Sequence, residues 1–191
     1  NELNIENSRI LSAKDLCTLP FIEKMKRAGI KFFKIEGRNR DARYIDTVAR
    51  VYRKALDKKL NKTEVEEGIK ELEKIYNKGL SSGFYLKLPT SDDFSKTEHN
   101  ASPEKKHFIG KITHYYDNLN VASVKLVHEL KLGDEIVIIG NTTGIVKSKI
   151  DSLEINRKEI KKADRGQEVG IKIKEKVRKN DEVYLLIKNK N

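Results

Sequence analysis

Apolar residues in the first 80 positions recur at helical spacing, whereas beyond position 107 they fall into short runs broken by turn residues. Phe21, Ile22, Met25 and Ala28 share one face of a helix over 20–28, with Pro20 near its first turn and Gly29 as a left-handed stop. From Asp41 to Lys59 a second helical stripe runs through Tyr44, Ile45, Val48, Val51, Tyr52, Ala55 and Leu56. Thr63 and Glu66 have the spacing of a capping box, which predicts a third helix carried on by Ile69, Leu72 and Ile75 and ended by Gly79. Between these, "RILSA" (9–13) and "IKFFKI" (30–35) read as short strands. Strands alternating with helices imply parallel pairing through right-handed crossovers. Two parallel strands cannot cover their own faces, so residues 1–87 are expected to be the closing portion of a larger α/β barrel.

Residues 88–107, "LPTSDDFSKTEHNASPEKKH", are polar and hold two of the three prolines, the composition of a linker. Six β-like runs follow, at 108–113, 121–127, 134–140, 143–151, 167–174 and 181–188. Asp117-Asn118, Gly133-Asp134, Gly140-Asn141, Arg165-Gly166 and Asn180-Asp181 separate them at regular intervals. That pattern predicts a small closed antiparallel barrel over 108–191. The fold class expected is thus an α/β portion followed by an all-β barrel.

Composition narrows the function without naming it. The 191 residues carry a net charge of +11, with 21 basic and 16 acidic groups in residues 1–100 and 19 and 13 in the remainder. Spread positive charge suits an RNA or phosphate partner, and it equally suits a well-solvated surface rich in lysine and glutamate. No apolar run approaches a membrane span and no signal peptide opens the chain, so a cytoplasmic protein without a membrane partner is expected. The single cysteine, Cys17, excludes an internal disulfide and suits a reducing compartment. The first residue is Asn, from which a start within a longer protein is expected.

Ser12, Lys14, Asp15 and Leu16, a helix ending in "AG", then "FKIEGR" and "YRKALD" together resemble peptidase family U-32, the collagenase-like proteins. "KGLSSGFYL" (78–86) fits the same likeness, with Lys78 in place of an arginine. The resemblance implies that residues 8–95 include the end of a TIM-type barrel, with "FFKIEG" its last strand. "LKLGDEIVIIG", "KKADRGQEVGIKI" and "KNDEVYLL" resemble domain II of translation elongation factors such as Tu. Asn180 stands where that pattern has glycine, a change that asparagine tolerates because it enters the left-handed region.

Chemistry in an α/β barrel sits at the C-terminal ends of its strands, where Glu36 and Arg38 follow "FFKI". A carboxylate there can act as base, metal ligand or partner to a cation, and Arg38 can fork onto a carboxylate or phosphate. These two are the expected catalytic residues; a Glu36–Arg38 pair that merely closes the barrel is the structural alternative. The resemblance further implies substrate-binding roles for Lys14 and Asp15. It also implies a [4Fe–4S] ligand in Cys17, with three more cysteines from an upstream barrel portion. A buried, packing thiol fits Cys17 equally, and both readings stay open. His99, His107, His114 and His128 lie in the linker or barrel with no triad spacing. The family reading is an enzyme, a peptidase or an iron–sulfur hydroxylase of RNA bases or quinone precursors, inactive as this portion alone. The barrel is then a module for RNA or a protein partner; His114, Tyr115 and Tyr116 near its first turn either pack the rim, the simpler reading, or stack on single-stranded RNA.

Overall fold

The computed structural model describes residues 12–88, 90–95 and 100–188, which divide into two compact units, 1–103 and 104–191. The strand expected at 9–13 and His99 lie largely or wholly outside the described residues.

In the first unit a two-residue strand β1 (Asp15–Leu16) leads through a 3-10 turn (Leu19–Phe21) into α1 (Ile22–Arg27). The long α2 (Ala42–Asp57) and α3 (Lys62–Glu73) follow, and then β2 (Leu80–Ser81), which pairs in parallel with β1. Asp41 caps α2 by accepting from the Tyr44 N–H at 2.9 Å. The predicted stripe on α2 supplies the core: Val48, Val51 and Ala55 are buried with Leu19, Met25, Leu72 and Ile75. α3 comes close to this core through Gly68, where a Cβ would stand 2.8 Å from Leu19 Cδ2.

Two helix boundaries differ from those read in the sequence. The capping box of α3 is Asn61 with Glu64, not Thr63 with Glu66, because a side-chain carboxamide two residues earlier takes the Glu64 N–H while Glu64 returns to Asn61 N. α3 stops at Glu73 rather than Gly79. The buried Asn77 amide donates to the Glu73 and Ile75 carbonyls, which satisfies helix-end acceptors without glycine. Gly79, at φ +89°, serves the turn into β2.

Residues 30–36 are not a strand. They have no ladder partner among the described residues, and a parallel strand is held by its neighbours. Phe32 accordingly stands 92% exposed.

The second unit comprises β3 (Glu104–Tyr116), β4 (Val121–Leu126), β5 (Leu130–Lys131), β6 (Glu135–Gly140), β7 (Gly144–Lys149), β8 (Leu153–Ile155), β9 (Lys158–Glu159), β10 (Lys162–Ala163), β11 (Glu168–Lys172) and β12 (Glu182–Lys188). All six predicted runs are present as strands, and β5, β8, β9 and β10 are additions too short to leave a pattern. Eight strands form one antiparallel sheet in the order β7-β6-β12-β3-β4-β11-β8-β9, and β5 pairs with β10. Val146 on β7 and Leu153 on β8 lie toward opposite ends of that order, yet both enter one core with Ile109, Ile138 and Ile171. The sheet therefore curls around its own apolar face. Asn180 sits at φ 73°, the left-handed conformation expected of it.

β3 makes the curl. Its register slips near Ile109 against β12 and near Thr113 against β4, each a bulge. Ile109, Ile112 and Tyr115 consequently face the core at intervals of three, not two. Such spacing hides a strand from any search for alternation, which is why β3 runs past both ends of the predicted 108–113.

No helix is long and apolar enough to cross a membrane among the described residues. Beside β12, the buried Asp181 carboxylate accepts from Thr143 Oγ1 at 2.6 Å and the Arg178 N–H at 2.7 Å. A Cβ at Gly140 would overlap that carboxylate. Asp181→Ala should cost about 3 kcal/mol by stranding two donors, and Gly140→Ala about 2 kcal/mol by overpacking. Urea unfolding of the double variant should show less than the summed loss, because removing the carboxylate frees the space; strict additivity would mean that the two do not meet.

Candidate functional site

Asp15 is the hub of the first unit. Its Oδ1 accepts from Arg40 Nη2 and its Oδ2 from the Lys78 N–H at 2.7 Å. One carboxylate thus ties β1 to the approach of α2 and to the turn before β2. Arg40 is held between two rings, its guanidinium carbon 4.9 Å from the Tyr44 centroid and 4.7 Å from that of Tyr76. Cation–π contact with both rings, together with the Asp15 carboxylate, restrains the guanidinium.

A cavity of about 640 Å³ opens beside this group. Asp15, Cys17, Glu36, Arg40, Tyr44 and Tyr76 contribute to its lining, and Met25, Phe33, Ile35, Val48 and Leu72 make its apolar wall. Of the residues singled out in the sequence, Asp15, Cys17 and Glu36 meet here, while Lys14 and Arg38 do not line it. Lys14 instead lays its methylenes against Gly79, and its backbone N–H donates to Asp93 O at 3.0 Å. Arg38 is exposed with no side-chain partner among the described residues. Glu36 does not pair with its guanidinium: Glu36 Oε1 accepts from the Arg38 backbone N–H at 2.9 Å, closing a local turn.

Cys17 is 6% exposed, and burial pushes its thiol above the ordinary range. The Tyr52 hydroxyl lies 3.8 Å from Sγ and accepts from the Thr18 N–H at 2.9 Å. Desolvation pushes Tyr52 up to about 12. Cys17 is the chain's single cysteine and sits in a buried, hydrogen-bonded niche, so a four-thiolate cluster would need three thiolates from outside this chain. No group of three or more His, Cys, Asp and Glu side chains is placed to hold a metal ion among the described residues.

Sequence reading passed over Arg40, Tyr44, Tyr52 and Tyr76. The two tyrosines on α2 appeared as stripe positions, and their eight-residue spacing put both on the cavity side. Tyr76 lies beyond α3, where no periodicity marks it. In the second unit His114 and Tyr116 face outward with ring centroids 4.4 Å apart. Tyr115 turns inward instead, its hydroxyl donating to Ile173 O at 3.1 Å.

Residues 1–95 match the family model for peptidase family U32. A Methanocaldococcus jannaschii relative named an uncharacterized protease is 39% identical over 97% of this chain and 46% of its own length. A collagenase of Porphyromonas gingivalis is 39% identical over 96% of this chain and 52% of its own. A Bacillus subtilis relative named tRNA hydroxylation protein P1 is 31% identical over 68% of this chain and 32% of its own. The chain belongs to peptidase family U32. It spans about half the length of the curated relatives that it matches most fully.

Tyr52 supplies a pH test. It keeps its proton to about 12 in the folded chain, against about 10 for an ordinary tyrosine. The stability tied to that proton is complete below pH about 10 and fades as pH rises toward the folded value. Tyr52→Phe should cost about 1–2 kcal/mol at pH 7 by leaving the Thr18 N–H unpaired, and should flatten the decline in melting temperature between pH 9 and 11. Parallel pH profiles of the two proteins would discount the assigned burial.

Proposed function

We propose that this chain is the C-terminal part of a U32 peptidase, in which residues 12–88 complete a TIM-type barrel and the second unit is an elongation-factor-like β-barrel. Glu36 serves as base toward the attacking water, Arg38, which lies outside the cavity lining, as the cation that grips substrate at its approach, and Lys14 and Asp15 as further substrate-binding residues. The convergence of Glu36, Asp15 and Arg40 on one cavity beside β1 carries this reading. The similarity to a collagenase along 96% of the chain supports it from a separate direction.

The test uses the full-length protein and peptide hydrolysis. Arg38→Lys retains the charge and loses the planar fork. Turnover or substrate affinity should fall roughly ten- to a hundredfold with melting unchanged. A variant equal to wild type in both would remove Arg38 from the site, and Glu36→Gln with undiminished hydrolysis would remove the base.

A second reading, RNA modification, is favoured by the relative named tRNA hydroxylation protein P1 and by the outward His114–Tyr116 pair. In that case the β-barrel is the RNA-binding module, its exposed rings stacking on unpaired bases. Tyr116→Ala should weaken tRNA binding by the intact chain about tenfold, measured by filter binding at fixed salt. Equal binding by wild type and variant would take the stacking role away.

A further inference from the structure

Arg40 is more than a strut. It gives one amino group to Asp15 and also hydrogen-bonds the Tyr44 side chain, while no second carboxylate or carbonyl takes its other N–H groups among the described residues. The flanking tyrosines hold the guanidinium in place and line the same cavity as Arg40 itself. A guanidinium held by two rings, with N–H groups beyond those engaged by Asp15 and Tyr44, is pre-organised to accept an oxyanion.

The charges around it choose the oxyanion. Asp15 offsets the Arg40 charge and Glu36 adds a second acid to the lining. Of the other cations there, Arg53 is engaged by Asp57 at 2.7 Å and Lys34 is exposed. A phosphate, with close to two charges, would meet these acids with one partly neutralised cation. A carboxylate carries one charge and matches a single guanidinium edge. Next to that edge the wall is apolar, through Met25, Phe33, Ile35, Val48 and Leu72.

We propose that the cavity binds the free C-terminal carboxylate of a short peptide, held by Arg40 between Tyr44 and Tyr76, with the peptide's apolar terminal side chain against the wall. This rests on the peptidase reading and narrows its substrates to oligopeptides that end in an apolar residue with a free carboxylate. Arg40 is then a binding residue distinct from Arg38.

The test is calorimetric titration of the intact chain with N-acetyl-Gly-Phe, its C-terminal amide and uridine 5′-monophosphate. The acid should bind at least about tenfold more tightly than the amide, since the amide lacks the charged acceptor. Arg40→Lys, which keeps the charge but loses the fork, should erase most of that difference. Acid and amide binding alike, or neither binding, would overturn the proposal. Tighter binding of the nucleotide would overturn it in favour of a phosphate ligand. Because the acid–amide comparison is made on wild-type protein, it stands even if Arg40→Lys unfolds. Peptide hydrolysis by the full-length protein is scored separately: acid-selective binding without hydrolysis would count against the peptidase reading while the carboxylate site remained.

Discussion

The helical unit depends on one carboxylate. Asp15 sits on a two-residue strand that could not persist by backbone pairing alone, and its two oxygens reach Arg40 and the Lys78 N–H. Because Arg40 is in turn clasped by Tyr44 of α2 and by Tyr76 beyond α3, that carboxylate sets where both helices stand relative to β1. A half-buried ion pair gains little from charge alone, since desolvation offsets much of the attraction. Here the hydrogen bond from the backbone and the ring contacts add what the charge pair lacks. The lining of the cavity follows from the same arrangement: Asp15, Arg40, Tyr44 and Tyr76 are both its rim and the reason that it has one.

The two units were unequally legible in the sequence. The α2 stripe and the six strand runs were visible because each repeats at the period of its element, and the structure has them all. The third helix was recognised but its box was displaced, because Asn61 and Thr63 both have an acid three residues on and only the structure shows which one is engaged. "IKFFKI" has strand composition, yet composition does not provide neighbours, and the segment lies unpaired among the described residues.

The site was legible in its acids and not in its contacts. Asp15, Cys17 and Glu36 were singled out by type and place, and all three line the cavity. The expectation that adjacent charges pair did not anticipate a backbone N–H taking Glu36. Arg40 escaped notice because its partners lie 25 residues upstream and 36 downstream, on elements whose approach is a tertiary fact. A charged residue at the approach to a helix reads as solvated until the rings that cover it are in view.

The two bulges of β3 act as phase slips. Between Ile109 and Tyr115 the inward parity changes twice, odd at Ile109, even at Ile112 and odd again at Tyr115. Because the second slip is one extra residue, loss of Thr113 would turn it into plain alternation and leave Ile112 and Tyr115 inside with His114 and Tyr116 outside. The extra residue thus serves to bend the strand: without it the same faces would look inward and outward along a straighter strand, and the sheet would lose part of its curl.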